Sequence, residues 1–133
     1  MVDHSQKIQM LLVEDDALIR KLLISYFDSE VYEFTEAENG QEALKIVLNS
    51  RPDVILTDLM MPKLGGAALI RTLRQMNDYA TIPIIALTAG GNDLQAEAKV
   101  AGANIVLTKP LRKAEVVPLV EEFLSLTPFI RQK

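Results

Sequence analysis

The chain contains no cysteine. That excludes a disulfide framework, a thiol nucleophile and a thiolate metal site, and it fits a reducing compartment such as the cytoplasm. Charge of one sign is not in large excess. Lys and Arg number 14 against 18 Asp and Glu, mixed along the chain, for a net charge of −4. A surface for phosphate backbones needs clustered cations, so direct nucleic-acid binding is not expected. Long apolar runs are missing too. The N-terminal MVDHSQKIQMLLVEDD has no extended hydrophobic segment behind a basic one, so neither a signal peptide nor a membrane span is read there. The single histidine, His4, stands in a stretch expected to fray, which makes it a poor ligand or phosphodonor. No Pro/Gly/Ser-rich linker, low-complexity tract or internal repeat breaks the chain.

What is present is a rhythm. Hydrophobic residues make up 49% of the 133, enough for one sizeable core. The length suits one domain over 1–133, with its core at about 8–126. Apolar runs at 8–13, 54–57, 84–87 and 104–107 read as strands, with a weaker one at 32–37. A helical pattern follows each. The first runs from 16 or 17 to 29, with Leu18, Leu22 and Phe27 on its stripe. The second opens at Asn39-Gly40, carries Ala43, Leu44, Val47 and Leu48, and ends at Arg51-Pro52. The third spans 67–76 through Leu69, Ile70 and Leu73, and the fourth spans 92–100 with Gly102 as its C-cap. The fifth spans 113–126, with Val116, Leu119, Val120 and Phe123 inward and Pro118 as an expected bend. Strands apolar on both faces imply a parallel sheet covered by helices on each side.

In such a sheet ligands bind outside the carboxyl ends of the strands. Glu14, Asp15 and Asp16 stand after the first strand, Asp58 after the third, Thr88 after the fourth and Lys109 after the fifth. Taken singly, each has a plain structural explanation: Asp15 or Asp16 as a helix cap, Thr88 as a cap, Lys109 as a solvated cation. Together they gather acids, a hydroxyl and an ammonium on one rim. Crowded carboxylates repel, and a hard divalent cation relieves the cost. Mg²⁺ takes oxygen ligands, and with Lys109 it would neutralise a phosphoryl group. Asp58 then reads as a carboxylate nucleophile.

The stretches LLVEDDALIRKLL, EAENGQEALKIV, PDVILTDLMMPKLGG, IPIIALTAGG and AGANIVLTKPL resemble, in order and spacing, the blocks of response-regulator receiver domains. The resemblance covers 8–126 and implies the CheY-like, flavodoxin-like doubly wound (βα)5 fold, with strand order 2-1-3-4-5. It implies that Asp58 accepts a phosphoryl group from the phosphohistidine of a sensor histidine kinase or phosphotransfer protein. Asp15 is then a direct Mg²⁺ ligand with Asp58, Glu14 acts through water, and the Met60 carbonyl completes the protein's share. Thr88 is the switch hydroxyl, and Lys109 pairs with the phosphoryl group across a cis bond to Pro110. The output is a change in partner affinity on the surface of helix four, strand five and helix five, with the partner or output domain unspecified. The domain assists its own phosphorylation and dephosphorylation but turns over no independent substrate.

Two alternatives are weighed. A degenerate receiver would bind partners without phosphorylation, yet every pocket group is present. An aspartyl phosphatase would want an acid two residues after Asp58, where Met60 stands. Departures from the family pattern are Val106 in place of an aromatic, Gly65 in place of a side-chain cap, and Leu111 in place of a frequent Phe. Met60 and Gly90 occupy positions that tend to tune dephosphorylation in the family.

Overall fold

A computed structural model describes residues 6–61 and 63–125; His4, Pro62 and the segment 126–133 lie outside the described residues. Strands and helices alternate: β1 (Ile8–Val13), α1 (Ala17–Ser25), β2 (Tyr32–Ala37), α2 (Gly40–Asn49), β3 (Val54–Asp58), α3 (Gly66–Arg74), β4 (Ile84–Thr88), α4 (Asn92–Ala101), β5 (Ile105–Thr108) and α5 (Lys113–Ser125). All pairings are parallel and the sheet order is β2-β1-β3-β4-β5. This is the flavodoxin-like fold with β2 and β5 at the edges.

The two-residue period of a strand explains the two cores. Leu11 and Val13 of β1 point to one face and pack with Ala43, Val47, Leu69, Ile70, Leu73 and Ala98 from α2, α3 and α4. Met10 and Leu12 point to the other face, toward Leu23 of α1 and Val116, Val120 and Leu124 of α5. Both faces of β3 and β4 are buried, which is why their sequences show no polar alternation.

The inward face of α1 differs from the sequence reading. Leu18 and Leu22 are 76% and 49% exposed, while Leu23 is buried and Ile19 and Ile24 pack partly against the core. The helix also stops at Ser25 rather than at 29. Its last turn tightens through Tyr26 N–H to Leu23 O and Phe27 N–H to Ile24 O, and Asp28 then accepts from the Val31 and Tyr32 N–H groups. Phe27 is buried beyond the helix, with its ring against Tyr32, centroids 5.0 Å apart at 67°. In α2, Ala43 and Val47 are buried but Leu48 is 72% exposed. The apolar run 46–48 offered two neighbouring stripes, and tertiary packing chose one.

Other ends move by one or two residues. β3 and β4 extend to include Asp58 and Thr88, and α3 spans Gly66–Arg74 rather than 67–76. Asn104 falls outside β5 because its side-chain oxygen accepts from Ile84 N–H at 2.8 Å and from Arg74 at 2.9 Å. Gly102 caps α4 at φ 122, a conformation that favours glycine. α5 continues through Pro118, which lies on its exposed side.

Candidate functional site

β1 carries its apolar run to Val13 and then delivers Glu14, whose N–H is held by Ala37 O at 3.0 Å. The two aspartates that follow divide the work. Asp16 is the α1 N-cap and accepts from the N–H groups of Leu18 and Ile19 at 2.8 and 3.4 Å. Capping uses up Asp16 and leaves Asp15 exposed at the rim. β3 delivers Asp58, 4% exposed, whose Oδ1 accepts from Leu59 N–H at 2.8 Å and Met60 N–H at 3.5 Å. Met60 itself is 63% exposed at the rim. One carboxylate oxygen from each of Glu14, Asp15 and Asp58 lies within 4.8 Å of the others.

The loop after β3 turns back closely. Gly66 N–H donates to Leu59 O at 3.2 Å, and a Cβ on Gly66 would sit 2.3 Å from Asp58 O. Only glycine fits there, so α3 can start against the strand that presents Asp58. Gly65 is the N-cap of α3 without a side-chain bond, as its lack of a side chain implies.

Lys109 comes from the far side of the pocket. Its backbone N–H is held by Thr88 O at 2.8 Å and its bond to Pro110 is cis. The ammonium donates to Glu14 Oε1 at 3.0 Å and sits 3.4 Å from Asp58 Oδ2. Burial pushes the Glu14 carboxyl above its ordinary range, and neighbouring Asp58 and Asp15 push it further, against the pull of Lys109 and Asp16 N–H. Burial alone would lower the Lys109 ammonium, but the Glu14 and Asp58 carboxylates outweigh it and hold Lys109 above its ordinary range. Thr88 is fully buried and its Oγ1 accepts from Gly90 N–H at 2.8 Å. Val106 is partly buried against the core on the α2, α3 and α4 side, an ordinary strand residue in the position read as a departure. Leu111 is buried and its carbonyl accepts from Tyr26 OH at 2.7 Å.

Three carboxylates against one ammonium leave the pocket short of positive charge. An all-oxygen donor set on one rim suits a hard cation such as Mg²⁺. The sequence reading missed one residue that touches this constellation. Arg20, in the first turns of α1, donates to the Glu14 carbonyl at 2.6 Å and to Glu36 Oε1 at 2.8 Å. Acids at the end of the second strand and just beyond it, and an Arg six positions after Glu14, were the available signal.

The class defined by this fold and rim is that of parallel α/β domains with an acidic cluster and a lysine at a topological switch point. Residues 10–121 match the response regulator receiver domain, and the chain belongs to that family. It is 39% identical over 124 residues to the transcriptional regulatory protein ResD of Bacillus subtilis, covering 92% of this chain and 50% of that protein. The chain thus spans about half the length of the curated relatives it matches. The Francisella response regulator 1452 receiver domain is 30% identical with a TM-score of 0.82, covering 91% of this chain and 99% of that one. The receiver domain of sensor histidine kinase PA1611 from Pseudomonas aeruginosa, which has a magnesium ion in its active site cleft, is also 30% identical with a TM-score of 0.82, covering 90% of this chain and 98% of that one. The chain is a receiver domain of two-component signalling. No helix among the described residues is long and apolar enough to cross a membrane.

Proposed function

We propose that Asp58 is the phosphoacceptor of a Mg²⁺-dependent switch. The observation that carries this reading is the convergence of Glu14, Asp15 and Asp58 within 4.8 Å, with the Lys109 ammonium bridging Glu14 and Asp58. Glu14, Asp15, Asp58 and the Met60 carbonyl would hold the metal, Glu14 through water. Bound there, Mg²⁺ supplies charge neutralisation for phosphoryl oxygens. A carboxylate oxygen of Asp58 attacks the phosphorus of a phosphohistidine on a sensor kinase or phosphotransfer protein. The new P–O bond forms as the P–N bond breaks, and the imidazole leaves with the bonding pair. Lys109 then neutralises the added oxygens. The domain assists its own phosphorylation and dephosphorylation and has no independent substrate. We place it in the cytoplasm.

Thr88 links the pocket to the surface. Its oxygen now accepts from Gly90 N–H; donating its proton to a phosphoryl oxygen reorganises the segment that leads into α4. That helix is weakly held at its start: its N-cap, Gly91, makes no side-chain bond, and only Ala98 and Ala101 are buried along it. Such an element shifts for a few kcal/mol. The switched face is therefore α4, β5 and α5, presented to an output domain or partner protein without direct nucleic-acid contact by this domain. The experiment is intact mass after incubation with acetyl phosphate and Mg²⁺. Wild type is expected to gain one phosphoryl group and Asp58→Asn none. No gain on wild type, or equal gain on both, removes the reading.

A further inference from the structure

We infer that Arg20 is a positioning residue for the metal-binding edge of the pocket, acting through the Glu14 carbonyl; this rests on the proposed Mg²⁺ site. The side chain of Arg20 is 12% exposed. Its Nη1 donates to Glu14 O at 2.6 Å, its Nε donates to Glu36 Oε1 at 2.8 Å, and its Nη2 lies 4.0 Å from Glu38 Oε1. One planar group therefore spans the exits of two strands. Those exits are already neighbours, since Val13 is in register with Ala37 and Glu14 N–H donates to Ala37 O.

The consequence lies in the Glu14-Asp15 peptide. Its carbonyl is held by Arg20, the amide of Glu14 by β2, and the Glu14 side chain by Asp16 N–H at 3.1 Å and Lys109 at 3.0 Å. With the peptide plane fixed, Asp15 leaves the strand in one direction, toward Asp58. Asp15 is left to the pocket, because Asp16 takes the cap. A hydrogen bond from a charged donor to this carbonyl is stronger than a neutral one and directional. The guanidinium is also a cation beside a cation site. Glu36 and Glu38 neutralise it on the outer side, so it orients the ligand loop without repelling the metal. Supporting groups of this kind commonly change metal affinity by about tenfold or more when removed.

The test is an NMR titration of metal-free protein with MgCl₂ alone, read at the amides of Asp15, Asp16, Leu59 and Met60. It is run on wild type, Arg20→Met and Glu36→Gln, with a thermal melt of each. Arg20→Met keeps an apolar stem and is expected to weaken Mg²⁺ binding about tenfold. Glu36→Gln frees the outer half of the bridge and is expected to weaken binding less, in the same direction. Variants that melt lower yet bind Mg²⁺ like wild type overturn the proposal and leave Arg20 a structural brace. If Arg20→Met does not fold, Glu36→Gln decides alone, and unchanged affinity overturns it. A wild type that binds no Mg²⁺ refutes the metal site itself, a distinct result.

Discussion

Neutralising Asp58 should make the metal-free domain more stable, although it removes an ion pair. Carboxylate oxygens of Glu14 and Asp58 lie within 4.8 Å of each other, so at an effective dielectric of about 20 the two groups repel by about 3.5 kcal/mol or more. Asp15 lies within the same 4.8 Å but faces solvent, so it adds a smaller, screened share. Against this, Lys109 at 3.4 Å from Asp58 returns about 5 kcal/mol on the same scale. In Asp58→Asn the amide oxygen can still accept from Leu59 N–H, and Lys109 keeps Glu14 at 3.0 Å. The Lys109–Asp58 attraction is lost with the charge and roughly cancels the repulsion from Glu14 and Asp15 that is lost with it, while the Lys109–Glu14 pair is unchanged. What remains is the desolvation of the Asp58 carboxylate, 4% exposed, which a neutral amide largely escapes, so the balance is a gain of about 1 kcal/mol. The assay is urea unfolding at pH 7 and low salt, with chelator and then with excess Mg²⁺. In chelator the midpoint of Asp58→Asn should rise without a change in slope. With Mg²⁺ the gap should close or reverse, because wild type binds the cation more tightly and linkage favours it. An Asp58→Asn protein less stable than wild type by 1 kcal/mol or more in chelator would refute the reasoning, since Lys109 pairing would then dominate the pocket.

Two further outcomes follow from the geometry. Gly66→Ala places a methyl 2.3 Å from Asp58 O and should cost about 3 kcal/mol in urea unfolding while displacing the acceptor strand; unchanged stability would contradict the close approach. Tyr79→Phe removes a buried hydroxyl that lies 2.7 Å from both Val47 O and Ser50 O, and should cost about 1–2 kcal/mol. Burial chiefly raises the Tyr79 phenol above its ordinary value near 10.0. The folded state then keeps a proton that the unfolded state releases, so this contribution is intact below pH 10 and fades as pH rises through the raised value. Stability curves of wild type and Tyr79→Phe should accordingly converge above pH 10; parallel curves would remove the assignment.

Much of this protein was legible in its linear chain. The β-α rhythm follows from hydrophobic periodicity, which is local. In a parallel sheet every strand points the same way, so residues after apolar runs must meet at one edge; that alone brings Glu14, Asp15, Asp58, Thr88 and Lys109 together. Other matters were settled only by tertiary contact. Both Asp15 and Asp16 suit a cap, and α1 takes Asp16 because its side chain reaches Leu18 and Ile19 N–H. Adjacent apolar residues in α1 offer two faces about 100° apart, and the sheet selected Leu23 over Leu18 and Leu22. Lys109 divides its charge between Glu14 and Asp58 across a separation of 95 residues from Glu14. Arg20 likewise acquires its place only once β1 and β2 lie side by side. Periodicity reports which residues must leave water, whereas a hydrogen bond to a particular distant atom exists only after the chain has closed around it.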